Sequence, residues 1–128
     1  MGISQFMAKE IMKELNNRSR EFYEFILPPV DIVEGANDLV VTIDLPGFAK
    51  KDIKLRIVGN VLSISAKRED VENEGTVYYK HRPIQIHKKI PLPISVSDDE
   101  QVGGTAIYQD GVVTLRIPIP NFSNIPIT

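Results

Sequence analysis

The chain has 128 residues and a formal net charge of -2, from 15 basic and 17 acidic residues without a dense basic run, so nucleic acid is not an expected partner. It contains no cysteine, which excludes disulfide frameworks, thiol nucleophiles and cysteine-ligated metals and is typical of cytoplasmic proteins. The length of the chain fits one domain with an appendage. No apolar segment is long enough to span a membrane and no signal peptide is evident, so we expect the protein in the cytoplasm.

The first 27 residues carry a helical pattern. Apolar residues from Ile3 to Ile26 recur mostly at every fourth position, and polar residues cover much of the remainder. This spacing predicts an N-terminal amphipathic helical arm, either one helix or two short helices broken near Asn16-Asn17. Its apolar stripe needs an apolar surface, which is either its own domain or another subunit or foreign protein. The residues expected to make these contacts are Phe6, Met7, Ile11, Leu15, Phe22, Phe25 and Ile26.

Pro28-Pro29 ends the helical pattern, because proline lacks a backbone N–H and biases the preceding residue to an extended conformation. Beyond it, apolar and polar residues alternate with a period of two in segments joined by short turns. This organisation predicts an all-β fold, an immunoglobulin-like antiparallel β-sandwich spanning residues 28–119. Strands are expected at Leu39–Leu45, Ile53–Val58 and Leu62–Lys67.

The segment from Arg68 to Arg82 is acidic in its first half and has no periodicity. A brief strand candidate, Val77-Tyr78-Tyr79, lies at or past its tip. Loops of this length inside a compact domain usually have a function or a structural role outside the domain.

The next strand places Ile84, Ile86, Lys88, Ile90 and Leu92 on one face. Pro91 lies within this strand, and because proline cannot donate to a β-ladder, it predicts an edge strand or a bulge. Lys88 has two interpretations: its stem lies along apolar surface with the ammonium in water, or it makes an ionic contact across a subunit boundary.

Asp110-Gly111 predicts a primed hairpin turn, since Gly adopts positive φ without steric cost. Val113, Leu115 and Ile117 then alternate with polar positions in a half-buried strand. Residues 120–128 form a turn-rich tail that contains Ile125, Pro126 and Ile127. The triplet Ile-Pro-Ile also occurs at residues 117–119, where we expect it to finish a strand.

No catalytic or metal-binding constellation is present in the sequence. His81 and His87 are the only histidines, and no third metal ligand is suggested beside them. Nucleophile elbows, phosphate-binding loops and dinucleotide fingerprints are missing from the sequence. Asp98 and Asp99 lie side by side in a loop, which implies solvation. We therefore predict no catalytic residue, cofactor or metal, and no enzyme.

In their order along the chain, these pieces resemble the small heat shock proteins, the α-crystallin-domain (Hsp20) family, and above all its short archaeal and prokaryotic members. One departure is that the family usually has arginine in the strand before Leu-Pro, where this chain has Lys88 and Pro91, and lysine cannot make a planar bidentate contact. The matching motifs are Pro28–Ile32, Asp44–Phe48, Val61–Glu69, Leu92-Pro93, Ala106 with Asp110–Val113, and the terminal Ile-x-Ile.

The resemblance implies an ATP-independent holdase chaperone that captures partly unfolded proteins through apolar surface. It also implies a homo-oligomer built from dimers, in which the loop delivers its strand to the partner's edge. The exchanged residues would be Val77, Tyr78 and Tyr79, and the receiving ones Val30, Asp31 and Ile32.

The same resemblance implies that Ile125, Pro126 and Ile127 dock into an edge groove of a neighbouring dimer, for which Thr105 and Ile107 are the candidate residues. The alternative function is a co-chaperone-like β-sandwich module that docks on one folded partner. That module needs neither the arm nor the tail.

Overall fold

A computed structural model describes residues 2–94, 104–119 and 127. Its single helix, α1, and its seven strands follow one another with a short 3₁₀ helix at Lys50–Asp52 before the third strand. The elements are α1 (Gly2–Ile26), β1 (Val30–Glu34), β2 (Asp38–Asp44), β3 (Ile53–Val58), β4 (Val61–Lys67), β5 (Gln85–Pro91), β6 (Thr105–Gln109) and β7 (Val112–Pro118).

The strands form two antiparallel sheets that pack face to face. One has the order β1-β2-β7-β6 and the other the order β3-β4-β5. The period-two alternation sends one set of apolar side chains between the sheets, which confirms the predicted β-sandwich. The core includes Leu39, Val41, Ile43, Leu62, Ile64, Ile86, Val113, Leu115 and Ile117.

Helix α1 runs unbroken through Asn16-Asn17, so the one-helix alternative is the correct one. An asparagine disfavours a helix mainly by bonding to the nearby backbone. The Asn16 side chain instead bonds to distant residues, to the Tyr78 carbonyl and to the His81 ring. The local competition with the helix is thereby removed.

The hairpin between β6 and β7 turns at Asp110-Gly111, whose φ angles are 54° and 78°. Positive φ at both central positions is what a type I′ turn requires, and this confirms the predicted hairpin. Gly111 has a second constraint, because a Cβ there would lie 3.0 Å from Pro46 Cα. The Leu45 amide donates to the Gly111 carbonyl at 2.8 Å, which joins this turn to the end of β2.

Two predictions about strands have different outcomes. β5 is an edge of the three-stranded sheet and includes Pro91, as expected from its missing N–H. Val77–Tyr79, however, do not form a strand within the chain. No strand of the described residues pairs with this segment, and a segment without a ladder partner is not stabilised as a strand.

Candidate functional site

Helix α1 lies with part of its polar side against its own chain. Asn16 is only 7% exposed, donates from Nδ2 to the Tyr78 carbonyl at 3.3 Å, and lies 3.1 Å through Oδ1 from His81 Nε2. The His81 ring is also in contact with the Tyr23 and Tyr79 rings, at centroid distances of 6.1 and 5.4 Å. The middle of the helix is therefore bound to residues 78–81 of the acidic loop.

An ionic cluster joins the helix to the loop one turn further on. The Asp70 carboxylate accepts from Lys80 Nζ at 2.8 Å and from Arg20 Nη1 at 3.2 Å. The hydrogen bond from Lys80, together with the positive charges of Lys80 and Arg20, holds the pKa of Asp70 below its ordinary value. Asp70 thus bridges a cation of the helix and a cation of its own loop.

The end of the helix is held against β5 by two charged side chains. The Glu24 carboxylate accepts from the backbone amides of Ile84 and Gln85, both at 2.9 Å. Lys88 Nζ donates to the carbonyls of Ile26 and Pro28 at 3.3 and 3.2 Å. A cation suits the free carbonyls and negative dipole of a helix C-terminus. Neither interpretation of Lys88 from the sequence included this intramolecular role.

We call this set of contacts the arm contact. It consists of the contacts of Asn16, Arg20 and Glu24 with the loop and β5, and of Lys88 with the end of the helix. Sequence reasoning missed these residues as functional candidates, although Asn16, Arg20 and Glu24 recur at every fourth position and so share one face of the helix. That spacing is the available signal, but it fits a solvent-facing surface equally well.

The apolar stripe of the arm faces away from its own chain. Its described members are exposed by between 43% for Ile26 and 83% for Phe25. The side chain of Phe6 lies outside the described residues. The sequence left two possible surfaces for this stripe, its own domain or another protein, and the stripe does not pack on its own domain. The exposed members are Met7, Ile11, Leu15, Phe22, Phe25 and Ile26.

The two segments predicted for strand exchange are not paired with each other within one chain. Val30, Asp31 and Ile32 belong to β1, which pairs with β2 on one side and forms an edge of its sheet. Tyr78 and Tyr79 are 70% and 78% exposed, and Val77 is partly exposed. The chain thus presents an edge and an unpaired aromatic segment.

Of the predicted tail residues, Ile125 and Pro126 lie outside the described part of the chain, and Ile127 is 97% exposed. The candidate groove residues Thr105 and Ile107 lie on β6, the other edge of the four-stranded sheet. Register pairs Ile107 with Thr114, between the core residues Val113 and Leu115. Thr105 and Ile107 therefore point away from the core, on the outer face of this sheet edge, and their part in docking the tail stays a prediction.

Other residues at the β6 edge face the opposite sheet. Lys88 of β5 reaches Pro28 beside β1, so β5 and β1 lie on one side of the sandwich and β3 and β6 on the other. Ala106 pairs with the core residue Leu115 and so faces inward, and Leu55 of β3 is only partly buried. Tyr108 OH donates to the carbonyls of Leu45 and Phe48 at 2.6 and 2.8 Å, which joins β6 to the segment after β2.

The described residues include neither a metal-binding cluster nor a membrane-spanning helix. His81 bonds to Asn16, whereas His87 is exposed on the outer face of β5. Within residues 2–94, 104–119 and 127, no three His, Asp or Glu side chains are grouped to hold a metal ion. No helix in the same part of the chain is long and apolar enough to cross a membrane.

Curated relatives are heat shock proteins from plants and bacteria. The chain is 38% identical over 93 residues to a 17.9 kDa class II heat shock protein of Helianthus annuus, which covers 70% of this chain and 56% of the relative. It is 31% identical over 98 residues to small heat shock protein C4 of Rickettsia felis, with 74% and 58% covered. The chain thus spans a little over half the length of these relatives.

Solved structures agree over a larger part of the chain. A mutant of hsp14.1 from Sulfolobus solfataricus P2 is 43% identical, with a TM-score of 0.73 and coverage of 99% of this chain and 98% of that one. A small heat-shock protein from Xylella fastidiosa, described as having a distinct high order structure, is 30% identical with a TM-score of 0.59, covering 80% and 96%.

The Hsp20/alpha crystallin family matches residues 31–126, which is most of the chain. The matched region contains both sheets, the acidic loop and the first two residues of the terminal Ile-Pro-Ile. The chain therefore belongs to the small heat shock proteins of the Hsp20/alpha-crystallin family, whose members are chaperones and not enzymes.

Proposed function

We propose that this chain is an ATP-independent holdase of the cytoplasm that captures partly unfolded proteins and keeps them from aggregating. The observation that carries the proposal is the exposed apolar stripe of α1, since the helix presents six apolar side chains outward while its polar residues contact its own chain. Exposed apolar surface of this extent is a feature of interaction sites. Met7 adds adaptability, because methionine is flexible and polarisable.

Dimers form in this proposal when the loop of one chain delivers Val77, Tyr78 and Tyr79 to the β1 edge of another, beside Val30, Asp31 and Ile32. The free edge of β1 and the exposure of the two tyrosines support it. Adding a strand to an exposed edge supplies main-chain hydrogen bonds that the free edge of β1 lacks in its own chain.

Larger homo-oligomers form when Ile125 and Ile127 of a neighbour enter the gap between β3 and β6, beside Leu55 and Ala106. The other triplet is already used, because Ile117 is fully buried and Ile119 packs against the core. Residues two apart in an extended segment share a face, and Pro126 lowers the entropy lost on ordering. Burial of two isoleucines contributes about 3 to 6 kcal/mol before ordering costs, which makes the contact reversible.

Protection of a heated, unrelated client tests the holdase. Replacing Ile11 and Phe22 by Ser removes two residues that are 58% and 59% exposed, so the sandwich stays folded. We expect the concentration of chain that halves client aggregation to rise about tenfold, as the loss of partial burial of two apolar side chains implies.

The matched control replaces Val33 and Val58 by Ser, since these apolar residues are 62% and 53% exposed on the sandwich. Protection should be retained in this control. Equal loss in both variants would contradict a specific role for the arm. A monomeric chain without any protection would instead support the co-chaperone-like module that docks on one folded partner.

A further inference from the structure

The outer face of the three-stranded sheet carries an array of cations. Strand register places Lys54, Ser65 and His87 in one row across the sheet and Arg56, Ser63 and Lys89 in the next. All six side chains alternate with residues that point into the core, so they share the solvent face. We call Lys54, Arg56, His87 and Lys89 the basic face.

The geometry of the basic face follows from the sheet. Residues two apart along an antiparallel strand are about 6.8 Å apart, and the outer two strands are separated by about 10 Å. The four positions therefore outline a rectangle of about 7 by 10 Å around the hydroxyls of Ser63 and Ser65. The three exposed cations Lys54, Arg56 and Lys89 on one side of a chain with net charge -2 form a local positive surface.

Within the described part of the chain, no ion pair neutralises the charges of this face. None of the ion pairs among the described residues includes Lys54, Arg56 or Lys89. Glu21 and Glu24 of α1 line a cavity beside Ser65 and His87, so carboxylates approach the His87 row. The uncompensated positive charge is thus concentrated at Lys54, Arg56 and Lys89.

We propose that the basic face binds the acidic loop of a second copy of this chain through Glu72 and Glu74. Both glutamates are exposed and take no part in the ion pairs of the described residues, whereas Asp70 in the same loop is already bound to Arg20 and Lys80. The contact goes beyond the strand exchange and tail docking proposed above. It rests on that proposed assembly only for its place in the oligomer.

Spacing supports this choice of partner. Glu72 and Glu74 are two residues apart, as are Lys54 and Arg56 on β3, so an extended loop matches the cation spacing of about 6.8 Å. A long polyanion or an anionic membrane meets the repulsion of a chain whose net charge is negative, whereas a short segment meets the basic face alone. Because each copy carries one face and one loop, two copies can pair reciprocally about a two-fold axis, or successive copies can pair head to tail.

The test is a charge-reversal exchange. One variant carries Lys54→Glu with Arg56→Glu, and the other carries Glu72→Lys with Glu74→Lys. Sedimentation velocity at about 50 mM salt should show about tenfold weaker association of each variant than of the unchanged chain, and association of the unchanged chain should weaken at about 500 mM salt. An equimolar mixture of the two variants should regain association, because the reversed loop matches the reversed face.

The control is Lys50→Glu with Lys51→Glu, which makes the same change of charge in the 3₁₀ helix and should leave association as it is. Unchanged mass in the exchange variants, or a mixture that fails to regain association although both variants show the β-sheet circular dichroism of the unchanged chain, would overturn the proposal. The proposal is also overturned if the Lys54→Glu/Arg56→Glu variant associates like the unchanged chain but no longer binds single-stranded DNA or vesicles of equal phosphatidylglycerol and phosphatidylcholine.

Client protection measured on the same samples separates this contact from the proposed holdase. Association that does not depend on the basic face, with normal protection by the unchanged chain, overturns the contact and leaves the holdase standing. Charge-dependent association without any client protection by the unchanged chain supports the contact and contradicts the holdase.

Discussion

Lys88 illustrates how one side chain attaches the arm to the sandwich. Its ammonium donates to the carbonyls of Ile26 and Pro28, where the helix ends and the domain begins. Lys88→Met keeps most of the aliphatic stem and removes both hydrogen bonds. We expect the free energy of unfolding in urea to fall by about 1 kcal/mol, since the contact is only partly buried.

Lys89→Met is the matched control, because Lys89 is on the outer face of the same strand and makes none of the hydrogen bonds or ion pairs described for Lys88. Its stability in urea should remain within about 0.5 kcal/mol of the unchanged chain. A similar loss in both variants would mean that net charge, and not the contact with the helix end, is responsible.

At the scale of elements, α1 and the acidic loop are held together by Asp70, whose pKa is lowered by Lys80 and Arg20. A carboxylate with a lowered pKa in the folded state contributes stability that is complete above its ordinary value of about 3.9 and is lost as the pH falls through the lowered pKa. We therefore expect the contact between arm and loop to weaken as the pH falls below about 4, while the contacts of Asn16 and Glu24 remain. Asp70→Asn should weaken this contact at neutral pH and remove its pH dependence.

Because the chain has no cysteine, spin labels at Glu10→Cys and Asn73→Cys report the distance between arm and loop without further substitution. The distance distribution should broaden in acid and in the Asp70→Asn variant. Asp38→Asn removes another carboxylate that pairs with an arginine, Arg116, away from the arm, and should leave the distribution narrow. A distribution that is independent of both pH and Asp70 would contradict the role of this ion cluster.

The strands could be predicted from the sequence because their burial is decided within the chain by a period of two. The orientation of α1 could not, since its apolar stripe has no surface to cover in its own sandwich, whose two sheets already bury each other's apolar faces. No described strand pairs with Val77–Tyr79, so a strand there would require the partner edge that we propose for a second chain. Patterns that depend on a second molecule are incomplete in one sequence.

The face of β6 on which each residue lies was predictable from the sequence in principle. Once Asp110-Gly111 is the turn, the register of the hairpin follows by counting outward, which pairs Tyr108 with Val113 and Ala106 with Leu115. A shift of one residue exchanges the two faces of a strand. The same count places Ile107, opposite Thr114, on the outer face, and Ala106 is the residue that the register directs inward.

At the scale of the whole molecule, the proposed assembly through the tail depends on which face of β6 the neighbour's isoleucines would meet. Ile125→Ser with Ile127→Ser removes the apolar pair and should convert larger oligomers to dimers in light scattering. Ala106→Glu should have the same effect, because it places a charge in the gap beside Leu55, and burying an unpaired charge is strongly unfavourable.

Ile107→Glu is the neighbouring control, since this side chain is 65% exposed on the opposite face. Its oligomers should keep their size. Dissociation by Ile107→Glu but not by Ala106→Glu would move the docking site to the outer face of the sheet. Dissociation by neither, with both variants folded, would mean that the terminal isoleucines bind elsewhere, and the arm would then be the remaining apolar surface able to join dimers.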